Sequence, residues 1–529
     1  MIYLLDYGAG NVRSVRNAVQ RLGEEIVAVR SPADIELADK LIFPGVGSFG
    51  SVMHRLIADG YAEPLRRRIA ENRPTLGICV ALQAFFEGSE ESPGVPGLGI
   101  LPGMVRRFDD GQLAVPQIGW NGIRLHKHCS LFADYQSENL YFVHSYHAPV
   151  QGLPEEWLLA TTDYGVEFVS AVCRGNVAAM QFHPEKSGAA GLGILKRFLM
   201  DDRISCRPLP GQPVTTPTRL AKRIIACLDV RSNDQGDLVV TKGDQYDVRE
   251  AGQVRNLGKP VELARRYFEE GADEITFLNI TAFRDFPLAD QPMLEILRRT
   301  SEQVFVPLTI GGGIREFTGS DGVFYSALDV ASEYFRSGAD KISIGSDAVT
   351  TVEQVLANGR PNGKSAIEQI SRVYGAQAVV ISVDPRRVYV TSPQQTNHAV
   401  IETVFPGPHG ERYCWYQCTV KGGREGRDVD VVQLVRTCEQ LGAGEILLNC
   451  IDRDGTKNGF DLELIRQVKQ QVKIPVIASS GAGTATHFQE VFEQTGADAA
   501  LAAGIFHRRE VGIGEVKNLL RDSGIACRQ

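Results

Sequence analysis

The sequence predicts two α/β modules in one chain. An open sheet spans residues 1–200, and a closed (β/α)8 barrel with an internal half-barrel repeat spans 219–529, with a linker at 201–218. Three observations predict it. Apolar runs of strand length alternate with amphipathic runs of helix length, the pattern of α/β layering. The stretch DDRISCRPLPGQPVTTPT, with 4 prolines in 18 residues, interrupts that alternation and reads as a semi-extended tether. After the tether the chain repeats itself at half its length.

Composition narrows the function classes. At 529 residues, two or three domains are expected. A net charge of −8 and a pI near 5.8 argue against a dedicated nucleic-acid or anionic-membrane surface. No apolar run reaches the roughly 18 residues of a membrane span. The chain opens almost at once into a strand-like run, IYLLDYG, without a signal-peptide pattern. A cytoplasmic location is therefore expected, or a plastid one if a transit peptide has been removed. The ten cysteines contain no CxxC pair. Cys414 and Cys418 are closest, with no second pair to match, so reduced thiols, no metal site and no cofactor are expected.

In the first module the strand-like runs are IYLLDY, EIVAV, KLIFPG, PTLGICV and VAAMQFHP. Helix-like runs between the early ones include NVRSVRNAVQRLG and HRLIADGYAEPLRRRIAEN. In TLGICVALQAFF an apolar strand runs into Cys79, and a helix is expected over VALQAFFEG. A tight strand-to-helix turn lifts a nucleophile onto a helix N-terminus, where backbone N–H groups and the helix dipole favour a thiolate. QFHPEKSG then brings His183 and Glu185 two residues apart, on one side of an extended chain. An imidazole there can exchange a proton with Cys79 while the carboxylate orients it. The glycine-rich FPGVGSFG offers the N–H groups of Gly45, Val46 and Gly47 to an oxyanion.

On GICVALQ, HPEKSG, DYGAGN, PGVGSFG and VHSYH, residues 1–200 resemble the class I (triad) glutamine amidotransferases. The nearest likeness is to the glutaminase of the imidazole glycerol phosphate synthases. The resemblance implies Cys79 as nucleophile, His183 as base, Glu185 as orienting carboxylate, Gly47 near the oxyanion and Gln83 near bound glutamine.

After the tether, AKRIIACLDV reads as a first strand with Arg223, Ile225, Cys227 and Asp229 on one side. Four echoes define the repeat: GADEITFLNI with GAGEILLNCI, VPLTIGGGIR with IPVIASSGAG, GADKISIGS with GADAALAAG, and CLDV with SVDP. Four strand–helix units per half, taken twice, make a TIM barrel, whose chemistry sits at the carboxyl ends of its strands. Asp229 and Asp384 fall at equivalent ends of the two halves, where two carboxylates in different surroundings serve as acid and base. Glycine-rich strand ends recur in both halves and offer two anion cradles, so a substrate with a phosphate at each end would span the mouth.

This region resembles the cyclase of the same synthases on AKRIIACLDV, VVTKGDQ, IGGGIR, ADKISIGS, EILLNCIDRDGTKNGFD and ALAAGIFH. The resemblance implies Asp229 and Asp384 as the acid/base pair, with Lys242 near the substrate. It implies phosphate and substrate contacts at Gly313, Gly345 and Ser346 in one half, and at Asn449, Asp454, Gly455, Ser479, Gly481, Ala503 and Gly504 in the other. A charged ring at the barrel floor falls on Arg223, Glu274, Lys341 and Glu445, with Asp340 paired to Lys186 of the first module. The implied reaction hydrolyses glutamine to glutamate and ammonia. The ammonia passes through the barrel to phosphoribulosyl-formimino-AICAR-phosphate (PRFAR), giving imidazole glycerol phosphate and AICAR in histidine biosynthesis. The two modules are each other's partner in cis, and neither nucleic acid nor membrane takes part.

Departures from the pattern are Asn279, where free-standing cyclases often carry an acid, and Ser480, where many carry glycine. The segments 347–372 and 385–428 are longer than a minimal barrel needs and resemble those of fused plant and fungal enzymes. Two rival readings fit less well. A pyridoxal phosphate synthase needs Schiff-base lysines inside its barrel, and a sugar-phosphate isomerase has no use for the attached glutaminase.

Overall fold

The computed structural model describes the chain except residues 9, 46, 210–217, 234–236, 242–248, 251–252, 255, 281–287, 289–291 and 320–321. The expected oxyanion residue Val46, the substrate residue Lys242 and most of the tether lie outside the described residues.

The first module is built on an 11-stranded mixed sheet. Its parallel half runs in the order Ile26–Ala28, Ile2–Leu4, Lys40–Gly45, Thr75–Cys79 and Val177–Met180. Both Thr75–Cys79 and its neighbour Lys40–Gly45 are buried along almost their whole length, as a central parallel strand covered by helices must be. Two expectations need correction. HRLIADGYAEPLRRRIAEN is not one helix but two, Phe49–Ala58 and Ala62–Ala70. They break at Gly60, which adopts φ +72°, a conformation helices use to stop. The helix after Cys79 spans only Val80–Ala84. Its last carbonyls are claimed from outside, Ala84 by the Leu98 N–H and Phe85 by those of Ile100 and Leu101.

The barrel closes as the repeat predicts. Its eight parallel strands are Arg223–Ser232, Glu274–Asn279, Leu308–Gly311, Lys341–Ile344, Val379–Val383, Glu445–Asn449, Val476–Ser479 and Ala499–Ala502. The last returns to the first, with Arg223 opposite Ala499 and Ala226 opposite Ala502. Alternation on the first strand divides its side chains between two cores. Ile224, Ala226, Leu228 and Val230 pack outward against the helices. Ile225 and Cys227 join Val380, Leu447, Ile477 and Leu501 inside the barrel.

Both long segments are ordered. Residues 347–372 form most of two helices, Ser346–Asn358 and Ala366–Tyr374. Residues 385–428 form the greater part of a four-stranded antiparallel sheet. Of the tether, Cys206–Pro208 is not free chain but a strand paired with Lys127–Cys129.

The modules share one core. Ile118, Trp120 and Tyr141 of the first module are buried with the outer core of the barrel. The Trp120 indole N–H donates to the Asp273 carbonyl at 3.1 Å. Arg528 covers the same ring at 4.3 Å.

Candidate active sites and the gate between them

Cys79 is held at φ +54°, ψ −111°, between its strand and the helix Val80–Ala84. For a residue with a Cβ this is strained backbone of the kind found at nucleophile elbows. Gly45, on the neighbouring strand, lies against the elbow so closely that a Cβ would collide with the backbone of Ile78, Val80 and Ala81. His183 follows the strand Val177–Met180, and its Nδ1 bonds to Glu185 Oε1 at 2.8 Å. The expected extended chain at this point is instead a one-turn 3-10 helix, Pro184–Lys186, with proline opening it. The turn still brings the carboxylate back onto the ring.

Burial works against an imidazolium here. The carboxylate of Glu185 and the hydrogen-bonded sulfur of Cys79 outweigh it and hold His183 well above the usual imidazole range. Gln83 is buried behind this pair, its amide donating to the Tyr146 carbonyl at 2.9 Å and to Gln181 Oε1 at 3.1 Å. Gln181 touches Cys79, donating to its Sγ at 3.5 Å.

A small cavity of about 50 Å³ holds Cys79, His183, Gly45 and Gly47. Its other wall belongs to the barrel, with Ala339, Asp340 and Tyr374 among the lining residues. The glutaminase pocket is thus completed by the second module. Lys186 Nζ pairs with Asp340 at 2.7 Å, the lysine almost wholly buried. Asn11 donates to the same carboxylate at 2.7 Å. The glycine loop is fastened too: the Ser48 N–H donates to the Val373 carbonyl at 3.2 Å and its hydroxyl to the Arg372 carbonyl at 3.1 Å. Part of what the long segment 347–372 does is therefore visible, since its second helix grips the loop beside the nucleophile.

Below this interface lies the charged ring. Arg223 pairs with Glu274 at 2.8 Å and with Glu445, and Lys341 bridges the same two carboxylates at 2.7 and 2.6 Å. All four side chains are at most 1% exposed. Two cations and two anions cancel, so each buried charge has opposite charge on either side. Thr309 donates to Glu274 at 2.6 Å.

Tyr141 stands between the ring and the glutaminase cavity. Its ring centroid is 6.4 Å from that of His183, and its buried hydroxyl has no hydrogen-bond partner among the described residues. Sequence reading missed Tyr141, Gln181, Asn11 and Ser48. Tyr141 sits in an apolar run, LYFVH, that marks it only as core, and the other three owe their roles to contacts with distant parts of the chain.

At the far end of the barrel a cavity of about 680 Å³ opens at the strand carboxyl ends. Asp229, Asp384, Gly313, Gly345, Ser346, Asn449, Asp454, Gly455, Ser479, Gly481, Ala503 and Gly504 all line it, as do Asn279 and Ser480. Asn449 donates to Asp384 Oδ1 at 3.0 Å, and Cys227 lies 3.8 Å from Asp229 Oδ1. Ser480 adopts φ +70°, the backbone that a glycine takes without strain. Arg231, Arg315, Lys421, Arg424, Lys457 and Arg508 also reach the cavity and make its mouth basic. Lys421 and Arg424 come from the turn of the sheet in 385–428. That turn is tied to the cradle by the Lys421 N–H on Ser346 Oγ at 3.1 Å, and the strand after it to the helix Ser346–Asn358 by two 2.8 Å bonds from Arg427 to Glu353.

Residues 3–201 match the family model described as "Glutamine amidotransferase class-I", and residues 223–512 the one described as "Histidine biosynthesis protein". The class is therefore a glutamine amidotransferase joined to a histidine-biosynthesis barrel. The chain is 57% identical, over its full length, to the chloroplastic "Imidazole glycerol phosphate synthase hisHF" of Arabidopsis thaliana, covering 89% of that protein. It is equally similar to the hisHF enzyme of Emericella nidulans, covering 99% of it. The separate subunit HisF of Methanosphaera stadtmanae is 42% identical over 310 residues, 58% of this chain and 99% of that one. The chain belongs to the imidazole glycerol phosphate synthase family, in the fused form that carries glutaminase and cyclase in one polypeptide. Among the described residues no helix is long and apolar enough to cross a membrane.

Proposed function

We propose that residues 1–200 release ammonia from glutamine and that residues 219–529 consume it without letting it reach solvent. Cys79 attacks the side-chain amide carbon of glutamine as a thiolate. His183 returns a proton to the departing ammonia, while Glu185 keeps the ring's Nδ1 proton pinned and its other nitrogen toward the sulfur. Water then hydrolyses the thioester to glutamate. Gly45 and Gly47 bring the backbone amides of the glycine loop to the developing oxyanion.

Ammonia leaves past the buried hydroxyl of Tyr141 and through the ring of Arg223, Glu274, Lys341 and Glu445. The lumen beyond is lined by Ile225, Val380, Leu447 and Ile477, an apolar path that favours neutral ammonia over ammonium. At its end Asp229 and Asp384 act as acid and base in ammonia addition, cyclisation and lyase cleavage of PRFAR. The cradles at Gly345–Ser346 and Ala503–Gly504 hold its two phosphates, with the basic mouth attracting the dianionic ends. A reducing compartment, cytosol or plastid stroma, suits a cysteine nucleophile.

The observation that carries this reading is the shared cavity: the pocket of Cys79 is walled by the barrel, directly above the ring. The test is glutamate release from glutamine with and without PRFAR, in wild type and Cys79→Ala. Release should depend on Cys79 and rise steeply with PRFAR, while Cys79→Ala still makes product from added ammonium. Release that is indifferent to PRFAR would reopen the barrel's substrate.

A further inference from the structure

Three thiols meet on the far side of the first module, away from the cavities, the gate and the interface. Cys206 opens the strand that follows the last helix of that module and lies directly opposite Cys129. Cys173, on the strand Val166–Arg174, completes the group. The three sulfur atoms lie within 4.8 Å of one another, with Cys206 Sγ 3.5 Å from Cys173 Sγ. Cys129 and Cys173 are buried, and Cys206 is half-buried at the edge.

A single buried cysteine serves as a small apolar side chain. Three converging sulfurs are a different object. Tetrahedral thiolate sites with Zn–S near 2.3 Å hold their sulfurs about 3.8 Å apart, a spacing these side chains reach with small rotations.

We propose that Cys129, Cys173 and Cys206 form a three-thiolate site for a soft cation of the zinc(II) or copper(I) class. Thiolate ligands select such ions over harder ones. Binding releases the thiol protons to solvent, and the exposed side at Cys206 leaves room for water as a fourth ligand to zinc. The site fastens the start of the tether, at Cys206, to the strands that carry Cys129 and Cys173. It needs no part in the chemistry at Cys79.

The experiment uses the full chain in a Cys79→Ala background, which removes the reactive thiol from the count, kept reduced with a phosphine. Cadmium(II) alone is the probe, and zinc(II) the competitor. One equivalent should bind with a thiolate-to-cadmium absorption of three-sulfur intensity, displaced by zinc. Cys206→Ser, at the least buried position, should weaken binding by more than about tenfold. Cys527→Ser, a half-buried thiol elsewhere, should leave it unchanged. Saturation that survives Cys206→Ser, or no saturable binding at all, would overturn the proposal. So would a Cys173–Cys206 disulfide in the isolated protein that, once reduced, takes up no cadmium.

Discussion

His183 is the residue on which the glutaminase half turns, and its proton affinity is set by two neighbours. Because its folded pKa is raised, the imidazolium–carboxylate pairing is fully present below the ordinary value near 6.5 and is lost as pH climbs through the folded value. Glu185→Gln removes the largest favourable partner without changing size. The expected result is a fall in glutamine turnover of roughly 10²-fold or more, with the basic limb of the pH–rate profile moved to lower pH. A profile that falls in height but keeps its basic limb would mean that Glu185 only packs the ring. Cysteine, histidine and glutamate were all legible in sequence because their spacing brackets a strand end. Tyr141 was not, since an aromatic in an apolar strand looks the same whether it fills a core or lines a path.

The barrel strands are the elements that build the charged ring proposed as the gate. Arg223 starts the first strand, Glu274 the second, Lys341 the fourth and Glu445 the sixth, so four strand beginnings place four charges in one layer. Arg223→Ala leaves two buried carboxylates with Lys341 as their only cation in the ring. A loss of about 3–5 kcal/mol in barrel stability is expected from an uncompensated buried charge, read by urea unfolding, together with a rise in glutamate made per product formed. Unchanged stoichiometry would show that the ring is structural and that ammonia takes another route. The resemblance pointed to this layer, and the sequence marks three of its members alike, since Glu274, Lys341 and Glu445 each follow a Gly-Ala-Asp or Gly-Ala-Gly start. The grip of the helix Ala366–Tyr374 on Ser48 was not legible. A capped amphipathic helix in a long crossover says that it packs, but not on what.

Across the whole molecule, the two modules are coupled through one completed cavity and a ring of contacts at its edge. Lys186 and Asp340 are 154 residues apart in sequence and 2.7 Å apart in space, with Asn11 on the same carboxylate. A double-mutant cycle with Lys186→Met and Asp340→Asn, read on PRFAR stimulation of glutaminase, should give a coupling energy of about 0.5–3 kcal/mol. Additive effects would assign the pair to folding alone. The modules meet through buried aromatic surface as well as charge, so loss of this one pair should loosen communication without separating them.

By itself the sequence determined the two modules and the barrel's closure through its duplicated halves, and it singled out Cys79, His183 and Glu185, the aspartate pair and the glycine-rich strand ends as candidates. All of these are local: a strand end, a turn or a short spacing specifies them, and a period of two or a repeated motif makes them visible. Only the tertiary structure decided which residues from distant strands share a wall. It placed Asp340 and Tyr374 in one cavity with Cys79, set the Tyr141 ring beside His183, and turned Glu185 onto His183 through a 3-10 turn where extended chain was expected. It also gathered Cys129, Cys173 and Cys206, whose spacing had pointed to no metal site. Contacts between residues far apart in the chain come from packing whole faces together, and no window of sequence carries that information.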